Sequence, residues 1–271
     1  MRFRIALGTM MLVALSAFAG GATGIASAAR ANIYTCSGGH WTGDPSSSTF
    51  TSIPSGNYAR ITVIGVCNIV PGAVINVTRN IDVAPGAVLD AQSASSTITV
   101  GHNVTAGAGS VLGLGCQPAN TIGMSAGVPC SDDPLQTTIT VNGNITATHA
   151  DTVLIRKVTV NRNVSLSGGG GQIPWSIKGN TVGGNLTIRD VAADWLGVQF
   201  NRIGRNAVLT NITALDPGDP GRTVAVVENT VAKYLICFGL APGVSPGFIP
   251  GETNHVGRKA LGQCAAISTP L

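Results

Sequence analysis

One short pattern of apolar and polar positions recurs along most of the chain. It runs aliphatic, two further residues, Asn, and then apolar positions alternating with Asp, Thr or Ser. The segments are VTRNIDV (77–83), VGHNVTA (100–106), VNGNITA (141–147), VNRNVSL (160–166), VGGNLTI (182–188) and IGRNAVL (203–209), with a degenerate VAKYLIC at 231–237. Alternation with a period of two marks a strand with one buried face, and Val, Ile and Thr suit a pleated surface. Gly and Asn before the second apolar pair supply the backbone freedom that a sharp corner needs.

The anchor positions are Asn80, Asn103, Asn144, Asn163, Asn185, Asn206 and Tyr234, with gaps of 23, 41, 19, 22, 21 and 28 residues. Two or three short strands per unit of about 20 residues predict a parallel β-solenoid. A β-sandwich would join its strands by hairpins and gives no reason for one Asn to recur once per unit. Coils stacked about 4.8 Å apart would set the anchors in a ladder, each side-chain amide serving the next. Later units add Asn180, Asn201, Asn229 and Asn254 in a slot that earlier units fill with Ile98, Ile139 and Val158. That slot is expected to face inward, so an amide stack replaces an aliphatic one toward the C-terminus.

The longest gap holds GLGCQPANTIGMSAGVPCSDDP, expected to be a disulfide loop over 113–136 inserted into a coil. The six cysteines group as Cys36 with Cys67, Cys116 with Cys130 and Cys237 with Cys264, although 15 connectivities exist in principle. The first and last of these pairs would pin the two ends of the solenoid, whose open edges otherwise invite polymerisation. The expected organisation is therefore one all-β domain over 29–271: a cap at 29–58, coils over 59–236 and a C-terminal cap at 237–271.

Residues 1–28 read as a secretory signal: Arg2 and Arg4, an apolar run over 5–19, and small residues at Ala26-Ser27-Ala28. The run is too short to span a bilayer, so an exported chain free of the membrane is expected. Removing Arg2 and Arg4 leaves 14 basic against 12 acidic residues, and no Lys/Arg run points to nucleic acid. No C-x-x-C or His at ligand spacing supports a metal, and no cofactor motif is present. A monomer is expected.

Twelve acids are few for glycoside chemistry, which needs a carboxyl pair. The strongest candidate region joins Trp175 and Trp195, twenty residues apart, to Arg156 and Lys178, each seven before its anchor. The indoles would stack on sugar rings and the cations would meet an anionic polysaccharide. Asp151, Asp190 or Asp194 would then act as general acid or base, or Lys178 as the base of a lyase. Against this, both Trp would fill the core and the charges would be solvated corner residues. His149 and Asp151 suit a base and its orienter, but no nucleophile accompanies them; His102 occupies a corner where His, Gly and Arg all occur. Thr97-Ile98-Thr99 and Thr138-Ile139-Thr140 resemble ice-binding Thr arrays, a column that Lys157 and Phe200 would break.

The repeat resembles the right-handed parallel β-helix group shared by pectate lyases and polygalacturonases. NTVGGNLTI and the ending NHVGRKALGQC look like uncharacterised exported β-helix proteins of actinobacteria, a likeness that carries no activity with it. Enzyme motifs do not transfer. Gly101-His102, Asp132-Asp133 and Ile155-Arg156-Lys157 are broken and misordered against those of a polygalacturonase, and the arginines and calcium-binding Asp cluster of a pectate lyase are missing. The leading expectation is thus a non-catalytic extracellular scaffold or polysaccharide-binding protein, with a polysaccharide lyase or hydrolase as the alternative. Six Asn-x-Ser/Thr triplets, at Asn76, Asn103, Asn144, Asn163, Asn185 and Asn211, follow largely from a corner Asn preceding an alternating strand.

Overall fold

The computed structural model describes residues 32–44, 46–116, 135–216, 224–246 and 253–271. The signal segment 1–28, Cys130, Asp132 and Asp133 lie outside the described residues. The strands Val158–Val160, Val164–Ser167 and Trp175–Lys178 form one coil. Each lies parallel to its counterpart one coil on, with Val160 beside Val182, Leu166 beside Ile188 and Ile177 beside Val198. Repeated along the chain, this makes a parallel β-helix, in which a nineteen-stranded sheet carries two strand positions of each coil and a nine-stranded sheet the third. The apolar positions of the pattern point between these sheets and form one continuous core from Cys36 to Cys264.

The irregular gaps are insertions that leave the stack intact. The strand Val111–Gly115 pairs with Val88–Ala91 before it and Thr152–Arg156 after it, and Val104–Ala106 pairs directly with Ile145–Thr148. The 41-residue gap is therefore one coil with extra chain between its strands. Pairing also runs beyond 59–236 at both ends. Asn32–Cys36 lies on Gly56–Val63, Thr51–Ile53 on Val66–Ile69, and Ser268–Pro270 on Asn254–Val256. Backbone hydrogen bonds build these coils without the anchor Asn, so the sequence repeat understates the helix. Disulfides Cys36–Cys67 and Cys237–Cys264 close its ends, and Cys116 is also disulfide-bonded.

Two asparagine ladders brace the corners. In the anchor ladder, Asn144, Asn163, Asn185 and Asn206 each donate from Nδ2 and the backbone N–H to Oδ1 of the Asn one coil earlier, at 2.9–3.3 Å. The inward ladder runs the other way: Asn180, Asn201 and Asn229 donate to Oδ1 of Asn201, Asn229 and Asn254, one coil later, at 2.8–3.1 Å. Hydrogen bonds in such chains polarise one another, and opposite senses keep the two polarisations from adding. The inward column is Ile75, Ile98, Ile139 and Val158 up to the coil where the amides begin. The inward Asn are at most 1 % exposed, and each gives its second Nδ2 hydrogen to a strand carbonyl. A buried amide is tolerated when its groups are paired in this way.

Candidate functional site

The nine-stranded sheet holds Arg156, Trp175 and Lys178, whereas Asp190 lies in the nineteen-stranded sheet and Asp151, Asp194 and Trp195 lie outside the strands. Arg156, Lys178 and Gln199 are register partners on successive strands and stack on its outer face. All three are buried there, Lys178 completely. Arg156 donates from Nε to Ser176 Oγ at 3.2 Å, and burial lowers its pKa to about 10. The Lys178 ammonium sits 5.9 Å from the Phe200 ring centroid, and the residue is not without a further partner. Gln199 Oε1 and Thr152 Oγ1 are buried on the same strands without a hydrogen-bond partner. Sequence reading missed both, and it also missed the burial of the outer face. One signal for that burial existed. Outward positions Gly113, Leu154, Ser176, Gly197 and Ala225 lack the Thr and Asp that mark exposed strand faces elsewhere, so both faces of this sheet read as covered.

The expected tryptophan platform is corrected. Trp175 pairs with Leu196, twenty-one residues on, so Trp195 is one residue out of register with it. A one-residue offset turns a strand side chain to the opposite face. Trp175 points into the core, is 0 % exposed, and donates its indole N–H to the Asp151 carbonyl at 2.9 Å. Trp195 lies across Gly197, where an added Cβ would come within 2.5 Å of its ring, and is 6 % exposed. Neither ring offers a face to a sugar.

The candidate carboxylates fall in two places: Asp190 stands apart, whereas Asp151 and Asp194 both border Gly171 and Asp216 follows Asp194 one coil on. Asp190 occupies a left-handed corner (φ 57°) and accepts a hydrogen bond from Asn211 Nδ2 at 3.1 Å. About 13 Å of extended chain separates it from Asp194 at the next bend. Asp194 donates its backbone N–H to the Gly171 carbonyl, and Gly171 also packs against the Asp151 carboxylate. Lys178, the candidate base, is fully buried and is not without a partner. Among the described residues no three His, Cys, Asp or Glu cluster as a metal would require. Inside the helix, a void of about 10 Å³ lined by residues such as Ile53, Ile75 and Leu114 is wholly apolar and holds no polar ligand.

Asp151 carries a pH dependence. Burial raises its carboxyl above the usual range. The folded state therefore holds this proton more tightly than the unfolded chain, and stability falls as pH rises from the unfolded value through the folded one. Asp151→Asn is expected to raise the melting temperature at neutral pH and to leave it unchanged at about pH 3, where the carboxyl is protonated in both states. Scanning calorimetry at the two pH values measures this.

The outside of the long sheet is different. Thr99, Thr140, Thr159 and Thr181 form one in-register outward column, and Thr105, Thr146, Ser165 and Thr187 another. The anchor Asn ladder runs in the corner between them. The Thr97–Thr138 column ends where Lys157 follows, as its sequence indicates. No protein-family model, curated protein or solved structure matches the chain.

Proposed function

We propose that this is an exported, non-catalytic monomer without a cofactor, whose outer faces form a rigid extracellular scaffold and bind an envelope or matrix polysaccharide. The observation that carries the reading is the pair of hydroxyl columns flanking the Asn ladder. Hydroxyls that both donate and accept, repeated about every 4.8 Å along a stiff axis, match the hydroxyl-lined edge of an extended sugar chain. The complete burial of Lys178 weighs against a lyase that would use it as base. Disulfides favour an oxidising compartment, and the likeness to exported actinobacterial β-helix proteins agrees with export. The test passes the disulfide-bonded protein over immobilised neutral and acidic polysaccharides and assays released sugars. Retention without release is expected. Release that Lys178→Ala or Asp194→Asn abolishes would replace binding by catalysis.

A further inference from the structure

The residue just before each anchor forms a column of its own. Backbone hydrogen bonds link it coil by coil, from Arg79 through His102, Gly143, Arg162, Gly184, Arg205 and Lys233 to Arg258. Seven steps of about 4.8 Å make this corner a straight line of roughly 34 Å. Arg79, Arg162, Arg205, Lys233, Arg258 and His102 are all exposed, and none of them forms an ion pair. The column on one side holds Thr78, Gly101, Asn142, Asn161, Gly183, Gly204, Ala232 and Gly257. The column on the other side is the anchor Asn ladder, ending in Tyr234. Neither contains a carboxylate.

Like charges on neighbouring rungs, as at Arg205, Lys233 and Arg258, repel and destabilise a sheet, and neither flanking column supplies an acid to offset them. These three occupy successive rungs and Arg162 lies two rungs before them, within a Debye length of about 10 Å, so the potentials of the four add along the line. Arg79 stands three rungs further, about 14 Å away. Four of the five permanent cations are Arg, whose planar fork grips carboxylate or sulfate with two parallel hydrogen bonds. We infer that this corner is a binding ridge for a linear acidic polysaccharide, with uronate or sulfate groups, lying along the helix axis. The inference rests on the polysaccharide-binding reading and names its substrate class. Single-stranded nucleic acid is disfavoured because its sites add a row of aromatic platforms. Beside the ridge Tyr234 has its ring centroid 5.8 Å from the Arg258 guanidinium. The anchor Asn ladder on one side and Thr78, Asn142 and Asn161 on the other instead supply partners for sugar hydroxyls.

The test compares the disulfide-bonded protein with an Arg162→Ala/Arg205→Ala double variant and an off-ridge Arg189→Ala control on immobilised polygalacturonate, dextran sulfate and neutral dextran. At low salt the wild type and the control are expected to bind the two acidic polymers at least tenfold more tightly than neutral dextran. Added salt should weaken that binding, and the double variant should lose at least tenfold while melting at an unchanged temperature. Equal binding of neutral and acidic polymers, untouched by the double variant, would overturn the ridge and leave polysaccharide binding standing. No retention on either acidic polymer would also overturn the ridge, and retention on neutral dextran would then decide the broader reading. Acidic polymer held by the ridge but cleaved would keep the ridge and end the non-catalytic reading. An oligonucleotide or an anionic lipid vesicle bound as tightly as polygalacturonate, through the same two arginines, would overturn the assignment to sugar.

Discussion

Asn201→Ala is expected to destabilise the protein by about 4 kcal/mol, read from urea unfolding. Asn201 sits mid-ladder with no exposed surface. Its Oδ1 accepts from the backbone N–H and Nδ2 of Asn180, and its Nδ2 donates to the Ile177 carbonyl and Asn229 Oδ1. Truncation orphans the Asn180 N–H and strips the Ile177 carbonyl of its side-chain donor, at about 1–3 kcal/mol for each buried group left unpaired, and a small cavity adds to this. Asn201→Leu separates the causes, because the same slot holds Ile139 and Val158 in earlier coils. A leucine fills the space but pairs nothing, so it too is expected to be strongly destabilising. A leucine variant as stable as the wild type would show that the amide only fills space. The exposed pair Asn161 Nδ2 to Asn142 Oδ1 provides the contrast: Asn161→Ala should cost less than about 1 kcal/mol, since water replaces the lost partner.

Trp175→Ala is expected to cost about 3–5 kcal/mol, as a large buried side chain leaves a cavity that a closely packed β-helix cannot collapse around. Its column runs Leu89, Leu112, Val153, Trp175, Leu196 and Val224, in register on successive strands. The Asp151 carbonyl also loses its indole donor. A variant that kept wild-type stability but lost sugar retention would instead restore the ring to a surface role.

The repeating unit and the Asn that anchors it were legible because a solenoid writes its fold once per coil. Each rung needs the same inward aliphatics and the same corner residue, so the pattern survives in one dimension. The switch from Ile98 and Ile139 to Asn180 and Asn201 was legible for the same reason. The outer coils were not, because Asn32–Cys36 and Ser268–Pro270 are held by backbone bonds that ask little of the side chains.

The candidate site fared differently, and the cause is arithmetic of register. Trp175 and Trp195 are twenty residues apart, but the coil between them takes twenty-one, and that single residue sends one ring inward and the other outward. Arg156 and Lys178 do stack, on a face whose burial depends on what covers the sheet. The cationic ridge shows the converse. Arg79, Arg162, Arg205, Lys233 and Arg258 are scattered through 180 positions of the chain and form no charge run. Local side-chain chemistry dictated the coil and its ladder, since neighbours in sequence settle strand, corner and inward face. Only stacking decided which distant residues share a line, because one insertion in one coil shifts every later alignment in sequence while the rungs stay in register in space.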